Sequence, residues 1–219
     1  MVLNRSALSK AREAPASTKA RILTAAEEVF AAKGFEGAST REIAAAAGVN
    51  ISSLHYHWES KETLYFAVFE NIYDRIVALV RSSIPESALE GPANRPVVDD
   101  AVGLLFDFFA DHPNVPKLLV RRLLETTDTT SEIERDILLP AFRRFAAWTY
   151  DLAKVESADV SIFMLTVQSV LLVFMLDSQQ FTGLLGGSVR SPQLRERLRT
   201  HIIALVHTLI RAERARKPA

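Results

Sequence analysis

"STREIAAAAGVNISSLHYHWESKETL", residues 39–64, holds two helix starts, one helix stop and a third start. Ser39-x-x-Glu42 has the form of a capping box, in which each residue satisfies the other's backbone N–H. The helix it opens runs about eight residues, with Ile43, Ala44 and Ala47 on its buried side. Gly48 ends it by supplying the left-handed backbone that a tight turn requires, and Val49 plugs the turn into the core. Asn50 caps a second short helix over 51–58. Its Leu54 and Trp58 stand four apart and face inward together. Ser60 caps a third helix from Lys61, with Leu64, Val68, Ile72, Ile76 and Val80 on one stripe. Two short helices across a glycine turn have the spacing of a helix-turn-helix.

The pattern extends in both directions. Upstream, Ile22, Leu23, Ala26, Val29 and Phe30 mark one face of an amphipathic helix from about Ser17. Gly34 stops it, and Phe35 folds back as the hydrophobic contact of the stop. Residues 1–17 show no periodicity and read as a flexible basic arm. Downstream, "SSIPESALEGPANRP" (82–96) is a loop by composition. Helices are expected at about 97–111, 114–127, 131–154, 158–181 and 191–215. Pro140 should kink the third of these, and "TGLLGGSVRSP" separates the last two. The expected fold is all-α, with the head at 18–64 and a larger helical body at 65–219.

Bulk properties narrow the class. The chain has 219 residues, 48% of them apolar, enough to bury a sizeable core. No run approaches the roughly 18 to 20 apolar residues of a membrane span, and "MVLNRSALSKAREAPASTKA" lacks the apolar centre of a secretory leader. Cysteine is absent, which fits a reducing cytoplasm. Net charge is zero but unevenly placed. Residues 1–21 hold Arg5, Lys10, Arg12, Lys19 and Arg21 against Glu13, and residues 190–219 hold eight basic residues against Glu196 and Glu213. An acidic middle between basic ends suits local contact with a polyanion.

"LHYHW" (54–58) invites a metal or catalytic reading, which the spacing opposes. On a helix His55 and His57 point about 200° apart, whereas zinc wants histidines three or four apart with a third ligand. His201 and His207 are separated by about 9 Å along their helix. No phosphate loop, nucleophile elbow or H-E-x-x-H appears. No metal, cofactor or enzymatic activity is expected. A contact surface fits better. With Leu54 and Trp58 inward, Ile51, Ser52, Ser53, His55, Tyr56 and His57 are free beside the cap Asn50. Small residues let backbone approach a groove floor, and hydroxyls and ring edges can meet bases or phosphates. Lys61, Thr40 and Arg41 sit at helix starts, where N–H groups and charge favour phosphate.

These residues resemble a known family. "TKARILTAAEEVFAAKGFEGASTREIAAAAGVNISSLHYHWESKETL" (18–64) is similar to the amino-terminal domain of TetR-family transcriptional regulators. The resemblance implies an all-helical homodimer, a three-helix head on a double-stranded DNA operator, and a body that binds a small effector. It places DNA contacts at Thr40, Arg41, Ser53, Tyr56, His57 and Lys61. The chain departs from the pattern at His55, usually tyrosine, at Ile51-Ser52, usually a polar–glycine pair, and at Trp58, usually Phe or Val.

The resemblance thins after about residue 80, so the body rests on physics. Val160, Phe163, Met164, Val167, Leu171, Phe174 and Met175 form a broad apolar stripe, as do Leu194, Leu198, Ile202, Leu205 and Leu209. Paired with their copies, helices 158–181 and 191–215 would form a four-helix dimer interface. Candidate effector-pocket residues are Arg121, Tyr150, Gln168 and Gln179 as orienting groups, with Phe106, Phe109, Trp148 and Met164 as walls. The expected role is a repressor of a palindromic operator, released by a mostly apolar effector. The alternative is a helical small-molecule sensor whose head does not bind DNA.

Overall fold

The computed structural model describes residues 17–84, 95–125, 157–177 and 179–215, with isolated positions between 132 and 143. Their helices are α1 (Thr18–Gly37), α2 (Thr40–Ala46), α3 (Ile51–His57), α4 (Lys61–Ser83), α5 (Arg95–Asp111), α6 (Asn114–Leu124), α7 (Ser157–Met175), α8 (Gln179–Leu185) and α9 (Pro192–Ala215). No strand occurs among the described residues, and the chain is all-α. No helix there is long and apolar enough to cross a membrane. Two compact units form: Met1–Asp74 with Lys117–Leu139, and Arg75–Pro116 with Pro140–Ala219. The first therefore runs past residue 64 and takes in most of α6.

The first unit is built on aromatic packing. Ser17 caps α1 by accepting from the Ala20 N–H at 3.3 Å, and Ile22 and Phe30 point from α1 into a fully buried core. There they join Ile43 of α2, Leu54 of α3, and Leu64, Tyr65, Phe69 and Ile72 of α4, all at 0% exposure. The Phe30 ring meets Tyr65 edge-on at 4.7 Å, and Tyr65 meets Phe69 at 5.0 Å. Edge-to-face pairs of this kind add to the stabilisation from area burial.

In the second unit α5, α7 and α9 pack against one another. Leu194, Leu198, Ile202, Val206 and Ile210 of α9 repeat every four residues and are buried. Polar contacts fix the register between α9 and α5. Arg195 donates to Asp107 at 2.7 Å and to Asp111 at 2.6 Å, and its hydrogen bonds hold the Asp111 carboxyl below the usual carboxylate range. The Arg199 guanidinium lies against Gly103, where a Cβ would come within 2.2 Å of it. His207 pairs with Asp99.

One expected helix is shorter in the structure. The segment predicted as 158–181 ends at Met175, and α8 starts at Gln179. Between them Asp177 adopts φ 49°, incompatible with a continuing right-handed helix. Its carboxylate accepts from the Ser188 hydroxyl at 2.7 Å and the Val189 N–H at 3.2 Å. Part of the expected 182–192 linker is thus helical. Most of the helix predicted at 131–154 lies outside the described residues. Phe30→Ala should lower unfolding free energy by about 3–5 kcal/mol, read as a reduced denaturant midpoint, with Phe30→Leu costing well under half of that.

Candidate nucleic-acid interface

Both short helices are held at their ends by side chains. The Ser39 hydroxyl accepts from the Glu42 N–H at 3.2 Å, and the Glu42 carboxylate accepts from the Ser39 N–H at 3.2 Å, closing the capping box. Glu42 also pairs with Lys33, and these hydrogen bonds to Lys33 and Ser39 keep its carboxyl below the usual range. At the far end of α2 the Val49 N–H returns to the Ala44 carbonyl at 2.9 Å, while Gly48 takes φ 65°. Arg21 of α1 then donates to the Ala47 carbonyl at 2.5 Å and the Gly48 carbonyl at 3.1 Å. A cation on free carbonyls favours a helix carboxy terminus twice, by hydrogen bond and by dipole.

Asn50 opens α3 by accepting from the Ser53 N–H at 2.7 Å. Leu54 and Trp58 are buried beneath. Ser52, His55 and Tyr56 consequently face outward, three and four residues apart on one side of the helix. Tyr56 is 84% exposed, unusual for so large a ring in a settled position. Ile51, Ser53 and His57 flank this face half-buried. The His57 ring meets Tyr56 edge-on at 5.0 Å. Burial, with the Lys19 charge adding, pushes the His57 imidazole down, so it is neutral near pH 7 and can donate from one nitrogen. Arg41 is exposed in the first turn of α2, beside half-buried Thr40.

Lys61 is placed differently from a free phosphate ligand. Its ammonium donates to the Phe35 carbonyl at 3.0 Å and the Ala38 carbonyl at 3.3 Å, and lies 4.3 Å from the Phe35 ring centre. Two of its three protons therefore serve the head's own structure. Sequence reasoning missed Arg21, counted there only as part of a basic tail, because its partners lie 26 and 27 residues away.

Of the expected pocket residues, Phe106, Phe109 and Met164 are buried in the second unit, with Gln168 half-buried. Arg121 belongs instead to the first unit, where it donates to the Ala32 carbonyl at 3.0 Å. Trp148, Tyr150 and the Gln179 side chain lie outside the described residues.

Residues 22–68 match the model of the bacterial regulatory proteins, tetR family. Over these residues the chain is similar to the amino-terminal domain of that family. The chain is 37% identical over 90 residues to the HTH-type transcriptional activator FasR of Mycolicibacterium smegmatis, covering 41% of this chain and 39% of that protein. It is 31% identical over 107 residues to the HTH-type transcriptional repressor NicS of Pseudomonas putida, covering 47% and 46% respectively. The chain thus spans less than half the length of these two relatives. Among solved structures, a TetR-like transcriptional regulator from Rhodococcus sp. RHA1 superposes with TM-score 0.65 at 17% identity, covering 91% of this chain and 97% of that one. The fatty acid degradation regulator FadR from Bacillus halodurans gives TM-score 0.64 at 16% identity, over 87% and 92%. At these identities the structural likeness establishes a shared fold.

Gly48→Ala should cost about 1–2 kcal/mol through its left-handed backbone alone. Gly48→Asn should cost less, since asparagine tolerates that conformation. Thermal melts of the two variants, compared side by side, check the order.

Proposed function

We propose that this protein is a DNA-binding transcriptional regulator, working in the cytoplasm as a homodimer on a palindromic operator and acting as a repressor. The observation that carries this is the outward face of α3. Ser52, His55 and Tyr56 stand exposed on a helix whose core side and amino-terminal cap are already satisfied, beside exposed Arg41. A rigid helix offering hydroxyl, imidazole and phenol groups fits a major groove, with Arg41, Thr40 and His57 near the flanking phosphates. Such a role needs no catalysis. FasR is an activator and NicS a repressor by name, so the family domain serves either sign of regulation.

The second unit supports the dimer. On α7 Ile162 is 65% and Leu165 54% exposed, and Ser169 and Val173 continue the same stripe. On α9 His201, Ala204 and Thr208 are exposed at helical spacing. Apolar and small residues on adjacent helices suit a self-complementary two-fold interface. The effector reading rests on Phe106, Phe109 and Met164 and on an α7 whose sequence holds one acidic and no basic residue. Such walls favour a small, mostly apolar ligand, which releases DNA by favouring another state of the dimer.

The commitment of Arg21 and Lys61 to carbonyls inside the head favours a second reading, a small-molecule sensor whose head does not bind DNA. Selection from a random duplex pool at two salt concentrations separates the two. A palindromic site with steep salt dependence supports the regulator; absence of enrichment, with and without a metabolite extract, supports the sensor. On the selected site, Arg41→Ala and Tyr56→Ala should each weaken binding by about 1–3 kcal/mol with unchanged thermal midpoints. Leu165→Arg should convert the sedimenting species from dimer to monomer, and a dimer persisting at micromolar concentration would remove α7 from the interface.

A further inference from the structure

The α1 helix is broken at Gly34, which has φ 75° and ψ −178°. This region of backbone space is almost closed to residues with a Cβ. Space excludes a side chain as well: a Cβ on Gly34 would lie 1.9 Å from a Glu125 carboxylate oxygen and 3.1 Å from Arg121 Cδ. The break releases two backbone groups from the helix ladder, and the end of α6 takes up both. The Phe35 N–H donates to Glu125 Oε2 at 3.3 Å, and the Ala32 carbonyl accepts from Arg121 Nη2 at 3.0 Å. Arg121 and Glu125 are four apart, so a single turn straddles the break with a donor on one side and an acceptor on the other. Lys61 holds two further carbonyls, of Phe35 and Ala38. The following residue is Ser39, the cap of α2.

We infer that Arg121 and Glu125 are positioning residues of the DNA-binding head. Their clasp on the Gly34 break fixes segment 35–38, and with it the direction in which α2 leaves α1 and α3 is presented. This inference rests on α3 being the DNA-reading helix. Neither residue belongs to the helix-turn-helix, and both follow the last residue of α3, His57, by more than sixty positions. Glu125 is also an acid, which a phosphate contact would exclude. Burial, with the Glu125 charge adding, pushes the Tyr65 phenol up.

The test compares Arg121→Ala/Glu125→Ala with Glu125→Gln in the full-length chain. Glutamine keeps an acceptor oxygen for the Phe35 N–H. On a selected duplex the double variant should bind about tenfold more weakly or worse, the scale of hydrogen bonds to charged groups. Glu125→Gln should stay close to the parent. The slope of affinity against salt should be unchanged, whereas loss of a phosphate contact lowers it by about one. Amide exchange should show lost protection at Phe35 spreading to residues 39–46. A folded double variant with parental affinity, or a salt slope reduced by about one, overturns the inference. If the parent itself enriches no duplex, the DNA reading fails on its own. Exchange then decides the clasp: loss spreading into 39–46 supports it, and loss confined to Phe35 overturns it.

Discussion

A seven-residue helix cannot hold itself together in water, because most of its backbone groups have no partner within the helix. The head depends on two such helices, α2 and α3, and much of its polar chemistry answers this constraint. Ser39, Glu42 and Asn50 occupy the amino-terminal ends, while Arg21 and Lys61 sit on free carbonyls. Beneath them Leu54, Trp58, Ile43 and Tyr65 supply the burial that local propensity lacks. Once the ends are satisfied and the undersides buried, the outward side chains of α3 are left outside the core. That exposure is what makes Ser52, His55 and Tyr56 available to another molecule.

The same physics sets what was legible in the sequence. Caps, the Gly48 turn and the Leu54–Trp58 pair act over three or four residues, so their signals sit side by side in residues 39–60. The stop at Gly34 was equally local. The contacts that complete the head are not: Arg21 reaches 26 residues, Arg121 reaches 89 and Glu125 reaches 90. A charged residue on a helix gives no local sign that its partner is a distant carbonyl, so Arg121 read as a pocket group and Lys61 as a free cation. The break after Met175 escaped for a similar reason. Asp177 is ordinary in a helix pattern, and only its bonds to Ser188 and Val189 explain its left-handed backbone.

In the second unit pattern-reading was limited by abundance rather than distance. The α7 sequence is apolar on nearly every side, so periodicity could not separate its core face from its outer one. Burial does: Phe163, Met164, Leu171, Leu172 and Met175 face inward, while Ile162 and Leu165 do not. On α9 charges help, since Arg195, Arg199 and His207 mark the side toward Asp107 and Asp99 on α5.

The exposed ring of Tyr56 has an entropic corollary. Its backbone is fixed before any partner arrives, so association need only freeze the side chain. A tyrosine loses two torsions, and serine and histidine about as few, whereas lysine or arginine loses four or more. A surface made of short, stiff side chains on a settled helix therefore gives up little conformational freedom on docking. It is also intolerant of a poor fit, since nothing on it can stretch to reach a displaced partner.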